Sequence, residues 1–244
     1  MTDAPGPTLP PHYGQTRDAL HRVATHVLAR RRHAVTGRFG LRPTPGGFGT
    51  PQFGDPDHEE QLRVSGATLV RERRVGAEVR TTVLSVGGAT LQRLADAVDV
   101  DLAPAFSVGK DTPEPGDLDA PLTVDPDAVA VMADFLHAGA IALDRILLEL
   151  GEDAAPGVAQ LWPEHFDLGI DVAVGGSRVN LGASVGDAGH EGPYVYVGPW
   201  SPDRPGDAEY WNAPFGALLG HEAITADPVE TMVGFVRRGL AFLG

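Results

Sequence analysis

Two stretches far apart in the chain, GDPDHE at residues 54–59 and GDAGHE at 186–191, carry Gly, Asp, His and Glu at identical spacing. A recurrence of this kind constrains the fold before any single motif does, because each copy must be built as the same supersecondary unit. Other matches keep the same order. Asp18, Leu20 and His21 return as Asp134, Leu136 and His137, RFGL from Arg38 matches HFDL from His165, and FGTPQFGD from Phe48 resembles LGASVGD from Leu181. Residues 14–98 and 126–244 therefore read as two diverged copies of one unit. Residues 99–125, rich in Pro and Asp, read as an extended linker, and residues 1–13 as a disordered start.

The order within each copy is helix, antiparallel strands, helix. Leu20, Val23, Val27 and Leu28 line one helical face from about Thr16, and the cluster Arg30–Arg32 with His33 falls where that helix should end. Strands are expected over 35–42, 47–53, 61–70 and 78–86, followed by a short helix marked by Leu91, Leu94, Ala95 and Val98. In the second copy Asp125 and Asp227 each precede a proline, the pattern of a cap followed by a first-turn proline, which predicts helices over 126–150 and 228–242. The fold class is α+β, an internal duplication in a pseudo-twofold arrangement.

Composition narrows the functions open to such a fold. A formal net charge of −14 repels phosphate backbones, so nucleic acid is not an expected partner. With no cysteine the chain has no thiolate chemistry, and His and carboxylates are the strong metal ligands left to it. No apolar run reaches membrane-spanning length, and residues 1–13 lack a basic start and an apolar stretch. The expected location is cytoplasmic, with no membrane partner.

Features kept by both copies can serve the shared fold, whereas features of one copy are free to serve function. Asp55 and Asp187 are expected to cap the turn after a glycine, with His58 and His190 bonding backbone there; paired metal or proton-transfer sites are the alternative. His21 and His137, each beside an apolar Leu, read as buried and satisfied histidines.

The second copy holds the one-sided features. Along WPEHFDLGIDV, alternation puts Phe166, Leu168, Ile170 and Val172 on one face and His165, Asp167 and Asp171 on the other. Asn180 and Ser184, then Tyr194, Tyr196 and Trp200, continue the polar face. Such a mixture resembles the lining of a ligand pocket more than a solvated sheet face. The repeat register, however, sets the two tyrosines opposite Leu62 and Val64, which look like core positions.

The expected function is binding of a small polar ligand by His165, Asp167, Asn180, Tyr194, Tyr196 and Trp211. The alternative is a metal-dependent enzyme, with non-haem iron or a similar divalent metal held by His165, Asp167 and His221. Glu164 or Glu222 would then carry protons, and Arg237 or Arg238 would bind an acid. A structural or interaction module is a third reading. The GASVG pattern around Ser184 lacks the helix a nucleophile elbow needs.

The runs LWPEHFDLGIDV, VNLGASVGD, PYVYVGPW and YWNAPFGALL resemble a bacterial, mostly actinobacterial, family of unknown function with a W-P-x-H-F-D signature. The matching residues are Trp162, His165, Phe166, Asp167, Gly186, Asp187, Tyr194, Tyr196 and Trp211. The resemblance covers mainly residues 160–243 and implies membership without an activity.

Overall fold

The computed structural model describes residues 8–244, so residues 1–7 of the expected disordered start lie outside the described residues. The fold is α+β. The chain divides into two compact units, one of residues 10–134 and 161–166, the other of residues 135–160 and 167–244 with 8–9. The division thus falls inside a long helix and not in residues 99–125.

In the first unit helix α1 (Tyr13–Val23) runs through a π-helical stretch (Ala24–Ala29) into α2 (Arg30–Thr36). It begins earlier than expected, because Tyr13 is only 2% exposed and its N–H donates to the Pro10 carbonyl. It also passes through the basic cluster for another turn, so the strand expected from 35 is absent. Gly37, at φ 70, is what stops it.

Six strands follow: β1 (Arg42–Thr44), β2 (Gly47–Gly49), β3 (Phe53–Asp55), β4 (His58–Ser65), β5 (Thr68–Val75) and β6 (Glu78–Ser85). They form one antiparallel sheet in the order β1-β2-β4-β5-β6, with β3 pairing β4 off that path. The single strand expected over 61–70 is a hairpin turning at Gly66, which takes φ 54. Helix α3 (Leu91–Ala97) is capped by the Thr90 hydroxyl, which accepts from the Arg93 N–H. Residues 99–125 are irregular but not an extended linker. Val100, Leu102 and Leu122 are buried, and Leu122 exchanges backbone hydrogen bonds with Gly88 and Ala89.

Helix α4 (Pro126–Leu150) has the bounds expected of it, and Asp125 accepts from the Asp127 N–H at its start. The strands β7 (Gln160–Trp162), β8 (Asp167–Val174), β9 (Ser177–Ser184), β10 (Tyr194–Pro199) and β11 (Ala217–Gly220) form an antiparallel sheet in the order β11-β10-β9-β8-β7. Its apolar face carries Leu168, Ile170, Val172, Leu181, Ala183, Val195 and Val197, all buried. Gly139 lets α4 approach that face closely, since a Cβ there would overlap the Ala183 side chain. Helix α5 (Pro228–Leu243) starts as its Asp-Pro pair dictates, with the Asp227 carboxylate accepting from the Glu230 N–H. Among the described residues no helix is long and apolar enough to cross a membrane.

The two halves share the order helix, antiparallel sheet, helix, and they share one turn in detail. Gly54 and Gly186 take φ 111 and 102, and in each case the next residue's carboxylate accepts two backbone N–H bonds, from Asp57 and His58 onto Asp55 and from Gly189 and His190 onto Asp187. Other correspondences do not extend to environment. His21 is part-buried and bonded to the Pro163 carbonyl, whereas His137 is exposed. Strands β1 to β3 have three residues each, against eight in β8 and β9.

Candidate functional site

Residues directly opposite one another in an antiparallel pair share a face of the sheet. The β4–β5 register therefore stacks Val64 with Leu69, Leu62 with Arg71, Glu60 with Arg73 and His58 with Val75 on one face of the first sheet. Along this face the environment changes in steps. Leu62, Val64 and Leu69 are fully buried, Glu60 and Arg71 are buried ions, and His58, Arg73 and Val75 are exposed. The exposed end faces a groove of ≈ 380 Å³, walled on one side by Arg31, Val35 and Thr36 of α2 and on the other by Phe53, Gly54 and Asp55 of β3 and by the ends of β4 and β5. That volume is within the range of small-molecule sites.

Charge within the groove is nearly all committed. The Glu60 carboxylate accepts from Arg31 Nη2 (2.8 Å) and from Arg71 Nε (3.0 Å), and Arg71 also donates to Asp99 (2.5 Å) and to the Ala97 carbonyl (2.9 Å). Burial pulls the Arg71 guanidinium down, but Asp99 and Glu60 together hold it above its ordinary value. The same Arg71 contact keeps the Asp99 carboxyl below the usual carboxylate range. Arg74 pairs with Glu59, and His58 with Asp55. Because Glu60 is taken by Arg31 and Arg71, Arg73 opposite it is left over. The Arg73 side chain makes no hydrogen bond or ion pair among the described residues, and its charge adds to those that lower Asp99. Arg73 thus lines the groove together with the apolar Val35, Phe53 and Val75.

Sequence reasoning missed this groove. The basic cluster at 30–32 looked like a helix terminus, yet its three arginines go to separate places: the Pro104 carbonyl, Glu60 and the Gly40 carbonyl. Only GDPDHE pointed here, and its turn-capping role, which is present, hid the fact that Gly54, Asp55, His58 and Glu59 also line the groove.

The polar face of the second sheet forms as the alternation requires and brings part of the expected set together. Tyr196 donates to Asp167 (2.5 Å) and Tyr194 to Asp187 (2.5 Å). The Tyr196 ring reaches Asp167 by lying across Gly182, where a Cβ would overlap its hydroxyl end. Burial first, and then the neighbouring carboxylates, push both phenols above their ordinary value. The tyrosines do not occupy the core positions of the first sheet. Val195 and Val197 lie on the apolar face of the second sheet, opposite Ala183 and Leu181, and the tyrosines, one residue out of step, lie on the other face.

The remaining expected residues have other partners. Asn180 accepts from the Trp200 indole, and Trp211 donates to the Pro205 carbonyl while packing on Tyr210 and Phe242. His165 is in the first unit, 3.2 Å from Glu164 and 3.8 Å from Asp111. His221 lies 3.3 Å from Glu222. Of the metal set, His165 belongs to the first unit and Asp167 and His221 to the second, and among the described residues no group of three His, Cys, Asp or Glu could hold a metal ion. Arg237 and Arg238 are occupied by Glu149 and Asp207.

The Asp167 and Tyr196 pair makes a stability prediction. Gly182→Ala should cost about 1–3 kcal/mol by driving a methyl group into Tyr196 and the Leu168 carbonyl. Thermal denaturation followed by circular dichroism checks it, and an unchanged midpoint would mean the ring does not lie across the strand.

Comparisons of the chain with protein-family models, curated proteins and solved structures found no match.

Proposed function

We propose that the chain is a small-molecule-binding protein whose ligand carries an anionic group and an apolar body, held in the groove of the first unit. The observation that carries this reading is Arg73, a guanidinium without a hydrogen-bonded partner among the described residues, in a cavity of ligand size whose other charges are paired. Carboxylate or phosphate would accept two of its N–H groups, and a charge-assisted contact of that kind contributes about 1.5–3 kcal/mol. Val35 and Val75, 47% and 42% exposed, offer the apolar body a surface.

The second-sheet cluster supports binding less well, because Asp167 and Asp187 already accept from the tyrosines that would otherwise meet a ligand. Calorimetric titration with phenylacetate and with its neutral counterpart phenylacetamide tests the proposal. Phenylacetate should bind and phenylacetamide should bind at least about tenfold more weakly, with Arg73→Gln removing that difference. Equal affinity for the two probes, or an Arg73→Gln variant that still discriminates between them, would overturn the reading. The substitution is at an exposed side chain and should move stability by less than about 0.5 kcal/mol.

A further inference from the structure

A sheet edge displays a row of unpaired N–H and C=O groups, and proteins ordinarily blunt such edges by shortness, proline or unpaired charge. Three of the four terminal strands here follow that rule: β1 has three residues including Pro43, β7 has three and β11 has four. The fourth, β6, does not. It has eight residues, roughly 27 Å of strand, with neither proline nor an assigned bulge, and Glu78 through Val83 are exposed on both faces. Its two charges, Glu78 and Arg80, are spent on each other at 2.9 Å. Val79 and Val83, 53% and 59% exposed, lie on the same face of the strand as Thr81.

We infer that β6 is a homotypic interface, at which a second copy of this chain adds its own β6 antiparallel to the first and continues the sheet. The occupant is a second copy because the strand complements itself. Centred on Thr81, the twofold pairing puts Val79 of each copy opposite Val83 of the other and Thr81 opposite Thr81, so both exposed valines are covered. Centring on Arg80 would instead set guanidinium against guanidinium, which opposes association. Cross-strand contacts between β-branched residues are the kind that stabilise a sheet, and the backbone groups of the edge gain partners in the same step.

Sedimentation of the full chain tests this. The wild type should populate a dimer at concentrations on the order of 100 μM. Val79→Lys with Val83→Lys sets lysine opposite lysine in this register and should sediment as a monomer, as should the corresponding pair of glutamate substitutions. Mixing the two variants should restore a dimer, now held by opposite charges. A monomeric wild type, a dimer that survives the lysine substitutions, or a mixture that stays monomeric would each overturn the inference. Because the substituted side chains are exposed, unchanged circular dichroism is expected throughout.

Discussion

Titration into the alkaline range should show almost no tyrosinate absorbance until the protein unfolds, and then nearly all of it at once. The chain has four tyrosines, and each is held above its ordinary value, first of all by burial: Tyr13 in the helical core, Tyr194 and Tyr196 beside carboxylates, and Tyr210 in an aromatic cluster despite the opposing Arg238 charge. The sign follows from linkage. Between the unfolded value near 10 and the raised folded values the unfolded chain has released phenolic protons that the folded chain retains, so stability is complete below pH 10 and falls above it. Each tyrosine contributes a slope of about 1.4 kcal/mol per pH unit, so four acting together would exhaust a typical domain's stability of roughly 5–15 kcal/mol within one to three units. A gradual rise in tyrosinate on a folded protein, reported by ultraviolet absorbance beside circular dichroism, would contradict the burial of these rings.

The acid side runs the other way through His21. Burial lowers it from 6.5 to about 4, outweighing the Pro163 carbonyl that favours its charged form. Its contribution is present above pH 6.5 and is lost as the pH falls toward 4, where the folded chain resists a proton that the unfolded chain accepts.

Glu60→Ala should strongly destabilise the first unit. It strands Arg71, whose side chain is 6% exposed, and releases Arg31 from the sheet. Removing one partner of a buried ion pair costs about 3–5 kcal/mol, and the retained Asp99 contact puts this case near the lower end. At the size of this chain that is roughly a 10 °C fall in midpoint. Arg63→Ala, which breaks the more exposed pair with Glu72, should cost less than about 1 kcal/mol. Equal effects in the two variants, measured by thermal denaturation, would contradict the burial gradient along β4 and β5.

What could be read from the sequence was whatever local chemistry decides. The two Asp-Pro pairs located α4 and α5, and strict alternation divided β8, β9 and β10 into an apolar and a polar face. What could not be read depended on distant partners. Nothing local says that Arg31 crosses to Glu60, or that Glu60 is thereby withdrawn from Arg73, so the groove and its spare charge are invisible in a linear pattern. Residues 99–125 looked like a linker because irregular backbone has no period, although Val100, Leu102 and Leu122 pack inside the first unit. Asp187 caps its turn as expected, but nothing local says that its second oxygen also receives Tyr194.

The most direct test of a binding groove in the first unit is a map of where an anionic probe perturbs backbone amides. Phenylacetate titrated into isotope-labelled protein should shift the resonances of Val35, Phe53, His58, Arg73 and Val75 in a saturable way and leave those of Tyr194 and Tyr196 in place. Shifts centred on Asp167, Tyr194 and Tyr196, with the first-sheet residues unmoved, would contradict it.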